Sequence, residues 1–337
     1  RDWSSDVCSS DLIYTFVADN PSDNRLIAGV LNAVGVCTFI TGGESSAEAI
    51  IKNACTLAES ANALRIQFYS VTALANLSLF LGKPDQAKEA LELSHKIADQ
   101  VGDDYYRGLL QIDQFMYANA RRDFEQAAYH CQLAANYFEG KYFPKLSITY
   151  IYWGHALMML EEYDQAQSLL EKGIQIIKPF NMPGILMGQL HLAKCHLLQN
   201  KIQEALDILS AIEEDVRSFG SLRSVLLLYK TSIWAKMMLA RSKNDFETYR
   251  FVDDCEKMLH WIELMAEPIR KVEAYGFLIL GLQADGQLAE ADRYYHKLLL
   301  DLEKYGSKLH RNIFPFIAFC ISLYELQKGD INLTSSV

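Results

Sequence analysis

The chain has 337 residues, half of them apolar and 11% aromatic, so a large core can be buried and general disorder is argued against. Its 42 acidic residues outnumber 32 basic ones, a formal charge of −10 at pH 7 that supplies no global field to hold a polyanion. Direct nucleic-acid contact by this segment is therefore not expected.

Residues 1–12, RDWSSDVCSSDL, are set aside first: read back into codons they match a common sequencing-library adapter translated in one frame. The natural chain is expected to start near Ile13, which leaves 31 basic against 39 acidic residues, about −8. Beyond Cys8 the cysteines are scattered singly at Cys37, Cys55, Cys131, Cys195, Cys255 and Cys320, with no CxxC and no dense framework. They are expected to be buried thiols in a reducing cytoplasm. No apolar run reaches the roughly 18 residues that span a bilayer. The best candidate, NIFPFIAFCISLYEL near the C-terminus, is about 15 long and amphipathic.

A ladder of small residues runs along the rest. Ala47 in TGGESSAEAII, Ala87 in GKPDQAKEAL, Ala127 in RDFEQAAYHC, Ala166 in EEYDQAQSLL and Ala205 in NKIQEALDIL are spaced 40, 40, 39 and 39 residues apart. A weaker unit follows with Tyr249 at the equivalent place, then Ala291 in DGQLAEADRYY, then a partial unit. Each is expected to be a pair of helices. Before each alanine lies a run such as SVTALANLSLFL or ITYIYWGHALMML, apolar nearly all round, as in a helix packed on both sides. A short break follows: Gly82 suits the left-handed cap, Pro84 the first helical turn, and Asp85 the positive end of the helix dipole. The next helix is amphipathic, with Ala87, Ala90, Leu91, Ser94, Ile97 and Ala98 on one stripe.

The alanine has a packing reason. Two antiparallel helices joined by about three residues must approach closely near their turn, which a small side chain allows. The facing position, twelve residues earlier, holds Gly35, Ala75, Phe115, Gly154 and Ala193, so four of five are small and Phe115 departs. The expected fold is all-α: a right-handed α-solenoid of about seven to eight antiparallel helix pairs with a period of 39–44 residues. It is drawn as one solenoid over 13–337, with units near 25–61, 62–102, 103–142, 143–181, 182–219, 220–266, 267–306 and a partial 307–337. The last unit stops after one helix, which leaves an apolar face around Phe314, Phe316 and Phe319, and self-association is expected of it.

The order Gly154, Tyr163, Ala166 resembles tetratricopeptide repeats, although the Trp and terminal Pro of that pattern are mostly lost. The 39–40-residue spacing and helix ends reading VGDDYYRG, SFGSLRS and KYGSKLH resemble more closely the long-helix tetratricopeptide region of MalT-like (LuxR-type) transcriptional regulators, over roughly residues 25–330. The resemblance implies that positions two, five, nine and twelve of each first helix face a concave groove. Position five is Thr72, Ile112, Ile151, Leu190 and Trp234; position nine is Asn76, Met116, His155, Lys194 and Met238; Tyr69, Asn119 and Arg241 fall on the same wall. Asn76, Asn119, His155 and Lys194 are expected to form one polar track, taking a protein or peptide partner or a small-molecule effector.

Chemistry finds no foothold. There is no GxxxxGK[ST], HExxH or EF-hand pattern, and GGESSAE lacks the second glycine of a nucleophile elbow. In HLAKCH, His191 and Cys195 share a helix face while His196 points about 100° further round, too few ligands for a closed metal site. The pairs Glu161/Glu162 and Asp253/Asp254 sit at turns or helix starts, and adjacent residues point to different faces. The expectation is a non-enzymatic binding segment without cofactor, metal or membrane contact. It would be either the sensor arm of a larger cytoplasmic MalT-like regulator, with a nucleotide-binding ATPase before it and often a DNA-binding helix-turn-helix after it as the resemblance implies, or a free-standing adaptor.

Overall fold

The computed structural model describes residues 23–40, 44–180, 184–219, 222–245, 251–264, 268–306 and 314–328. Residues 1–12, Tyr249 and the side chain of Phe314 lie outside that description. The described residues form fifteen α-helices and no strand.

The chain divides into two compact units between Phe180 and Asn181. The first contains α1 (Asn24–Ile40), α2 (Glu44–Ser60), α3 (Leu64–Phe80), α4 (Pro84–Val101), α5 (Asp104–Ala120), α6 (Phe124–Phe138), α7 (Phe143–Met159) and α8 (Tyr163–Ile177). The second contains α9 (Gly184–Leu198), α10 (Ile202–Phe219), α11 (Leu222–Lys243), α12 (Val252–Leu264), α13 (Pro268–Ala284), α14 (Leu288–Tyr305) and α15 (Phe314–Lys328). Each odd helix up to α13 forms a hairpin with the even helix after it. In the first unit the odd helices α1, α3, α5 and α7 also touch one another in succession, so they make one continuous layer.

The hairpin turns follow from local backbone chemistry. Between α3 and α4, Gly82 takes φ +70°, a left-handed conformation that glycine enters without Cβ strain, and Pro84 opens α4 with Asp85 in its first turn. At the corresponding turns stand Arg122 (φ 62°), Glu161 (φ 64°) and Asn200 (φ 62°), residues that pay a steric penalty glycine avoids. Helix α4 buries Ala87, Leu91, Ser94, Ile97 and Ala98 of the stripe read from its sequence, and Ala90 is half-buried. Asp103 and Asp123 cap α5 and α6 by accepting from the backbone N–H groups of Tyr105 (2.9 Å) and Gln126 (3.2 Å).

The alanine ladder marks where paired helices meet. Ala47, Ala87, Ala127, Ala166, Ala205 and Ala291 are all fully buried. A Cβ placed on Gly154 would lie 3.0 Å from the Ala166 carbonyl oxygen and 2.7 Å from Leu170 Cγ, and one on Gly35 would collide with Ile51. The departure at Phe115 is absorbed by small neighbours: its buried ring stacks on Tyr152 at 4.8 Å and packs among Ala118, Ala127, Cys131 and Ala156. Aromatic rings fill the rest of the first core, where Phe68, Tyr106, Phe138 and Tyr150 pack together. The second core centres on Leu228, Tyr229, Ile233, Met258 and Leu278. Each such side chain fully buried contributes about 1.5–3 kcal/mol.

Two expectations need correction. Cys131, Cys195, Cys255 and Cys320 are buried, but Cys37 is exposed and Cys55 only half-buried, because both sit on helix faces that neighbouring helices do not cover completely. Around the last helix, Phe316 is covered: it packs on Phe277 at 4.4 Å and over Gly276, which leaves Phe319 exposed. Among the described residues, no helix is long and apolar enough to cross a membrane.

Candidate functional site

The layer of odd helices in the first unit carries the polar residues that the repeat register places on one wall. Tyr69 is 37% exposed, and its ring meets Tyr106 at 5.8 Å. Thr72 lies deeper, buried, with its hydroxyl donating to the Tyr69 carbonyl at 3.2 Å, so its polarity is used within its own helix. Asn76, Met116, Asn119 and His155 are half-buried. Ile112 is half-buried and Ile151 buried, which makes this position mainly a packing position.

Asn76 reaches across from α3 to α5, donating through Nδ2 to Asp113 Oδ1 at 3.1 Å. Asp113 is only 9% exposed, and burial pushes its carboxyl from 3.8 up to about 7, against the opposing pulls of the Asn76 donor and the Lys145 charge. This bond fixes the orientation of the Asn76 amide, and its Oδ1 is left buried without a hydrogen bond. The amide oxygens of Asn32 and Asn119, on α1 and α5, are in the same condition. An acceptor removed from water and given no donor costs about 1–3 kcal/mol. The three residues fall in the register expected to face the groove: Asn32 stands fifteen residues before Ala47, as Thr72 stands before Ala87.

Neither Asn32 nor Asp113 was singled out from the sequence. The first is found by extending the position-five count back one repeat. The second carries a local signal, a lone acid inside the apolar run LLQIDQFM.

In the second unit Lys194 is half-buried on α9, while Trp234 and Arg241 are exposed on α11. Lys194 thus belongs to a different compact unit from Asn76, Asn119 and His155. Leu190 is fully buried and Met238 half-buried. In HLAKCH, Cys195 is fully buried. Among the described residues no three His, Cys, Asp or Glu side chains converge as metal ligands would. The first-unit wall thus holds three buried amide oxygens that accept no hydrogen bond and a shielded carboxyl, with the Tyr69 ring partly exposed.

No family model and no curated protein sequence matches the chain. Solved structures do. A STAND signal-transduction ATPase with a tetratricopeptide repeat sensor, from Pyrococcus horikoshii, superposes with a TM-score of 0.58 at 13% identity, over 93% of this chain and 47% of that one. This chain therefore spans about half the length of that protein. A Rap protein complexed with competence and sporulation factor gives 0.58 at 13% identity, over 89% and 81% of the two chains. Yeast Tom70 gives 0.50 at 14% identity, over 94% and 58%. At these identities the likeness establishes the fold, a tetratricopeptide-like solenoid of helical repeats.

Proposed function

We propose that the chain is a non-catalytic binding segment whose first unit holds an extended stretch of a protein or peptide partner along the layer of α1, α3, α5 and α7. The observation that carries this reading is the set of three buried amide oxygens, at Asn32, Asn76 and Asn119, that accept no hydrogen bond. Each is a desolvated acceptor without a donor in the chain, and a small outward turn of its side chain would present it to the backbone N–H of an extended peptide. The neighbours that superpose well include a repeat sensor and a protein complexed with another factor, which supports binding over catalysis.

The finer reading is that this is the sensor arm of a larger cytoplasmic regulator of the MalT-like type. The helix-end motifs support it, as does the sensor in the STAND neighbour, of which this chain spans about half. A free-standing adaptor is the competing assignment. The coding sequence read outward from both ends separates them: an upstream phosphate-binding loop with a downstream helix-turn-helix makes it a regulator, and a short leader with a polar capping helix makes it an adaptor.

The binding reading is tested by selecting a displayed random peptide library on the chain and measuring the affinity of recovered peptides for Asn32→Ala and Asn119→Ala. Each loss of an amide acceptor is expected to weaken binding about two- to tenfold. If not one recovered peptide loses affinity for either variant, the partner lies elsewhere and the reading fails.

A further inference from the structure

We propose that the second unit carries a separate site for an acidic segment of a protein partner, in which Lys194 takes a carboxylate and the exposed indole of Trp234 takes the apolar side chain beside it. The site lies on α9 and α11 and uses no residue of the first-unit amide face, so it stands or falls independently.

Lys194 is the anomaly that leads there. Lysine is seldom withdrawn from water without a partner, yet Lys194 is half-buried and pairs with no carboxylate among the described residues. Its charged neighbour is another cation. Burial, and after it the charge of Lys230, hold the Lys194 ammonium below the ordinary lysine value. Lys230 in turn spends its charge on Glu273 of α13, at 2.5 Å. Lys194 is thus left without a counter-charge, in a chain that carries 42 acidic residues against 32 basic and has no shortage of acids to place there. A carboxylate supplied from outside would supply the missing counter-charge.

The surroundings say what that carboxylate is attached to. Trp234 stands one helical turn from Lys230 and is 54% exposed. Met238 and Arg241 continue the same stripe of α11 at helical spacing, half-buried and exposed respectively. An aromatic plate beside a cation is the composition of a recognition hot spot. A nucleic acid fits poorly, since one unmatched ammonium cannot offset the repulsion of a chain with a formal charge of −10. A single Asp or Glu next to a leucine or aromatic side chain matches one ammonium and one indole.

The test uses the full chain and a displayed random dodecapeptide library, selected at low salt. Peptides pairing an acid with a neighbouring apolar residue are expected to recur. Lys194→Met should weaken them by at least about thirtyfold, the loss typical of one member of a desolvated charge pair. Lys194→Arg should retain most of the affinity. Trp234→Ala, at an exposed position that folding does not depend on, should weaken them as well, and rising salt should do the same. Asn32→Ala and Asn119→Ala should leave these peptides unaffected, which separates them from ligands of the first unit. Recovery of no acidic–apolar peptides overturns the proposal, as does binding indifferent to both Lys194→Met and Trp234→Ala. Displacement of the peptides by millimolar inorganic phosphate alone also overturns it, by marking a small-anion site.

Discussion

Replacing Asp113 with asparagine removes a carboxyl buried to 9% exposure while keeping an oxygen to accept from Asn76. Burial raises the carboxyl from 3.8 to about 7, with the Asn76 hydrogen bond and the Lys145 charge only partly opposing it. Because the folded value lies above the unfolded one, the folded protein holds this proton more tightly than the unfolded chain does. Its contribution to stability is complete below about pH 4 and is lost as the pH rises through about 7. The slope in that window approaches 1.4 kcal/mol per pH unit, or roughly 2–3 kcal/mol between pH 5 and pH 7. Asp113→Asn lacks the titration, so the variant should gain stability relative to the natural residue by that amount over the same interval. Urea unfolding of both proteins at half-unit steps from pH 5 to pH 8 measures it. Parallel stability profiles for the two proteins would refute the assignment of a protonated, desolvated carboxyl at this position.

Three further outcomes are expected. Glu161→Gly removes a non-glycine residue from φ 64° and should stabilise the chain by about 0.5–1 kcal/mol in chemical denaturation, whereas the same change at a helical position would destabilise it. Gly154→Ala places a methyl group 2.7 Å from Leu170 Cγ and 3.0 Å from the Ala166 carbonyl, so the α7–α8 hairpin must open; a loss of about 1–3 kcal/mol by the same assay is expected. A thiol reagent at neutral pH should modify exposed Cys37 well before Cys131 and Cys255, whose thiols are buried and driven upward by desolvation, as peptide mapping after timed quenching would show.

The all-α repeat architecture was legible because its constraint is local and periodic. A close helix approach demands a small residue, so Ala47 through Ala205 recur at almost constant spacing, and Gly82 with Pro84 spells out a turn that the backbone then makes. The candidate face was legible only in outline. Register gives the direction in which a side chain points, and it brought Asn76 and Asn119 to attention. It does not reveal depth: Thr72 and Leu190 share the register of Trp234, yet both are buried while the indole is exposed, because burial depends on how the next helix crosses. Partnerships between helices are equally invisible along one chain. Asn76 with Asp113, and Lys230 with Glu273, are separated by about one repeat, and nothing in either local sequence announces the other. Register also weakens in the second unit, where α11 runs to 22 residues against 17 for α3, α5 and α7.

The most direct test of the binding account is a crystal structure of the chain with a peptide selected on it and sensitive to Asn119→Ala. The account predicts that the peptide lies extended along α1, α3, α5 and α7, with its backbone N–H groups donating to the amide oxygens of Asn32, Asn76 and Asn119. A peptide seated instead on the even helices α2, α4 and α6, with those oxygens still unsatisfied, would contradict it.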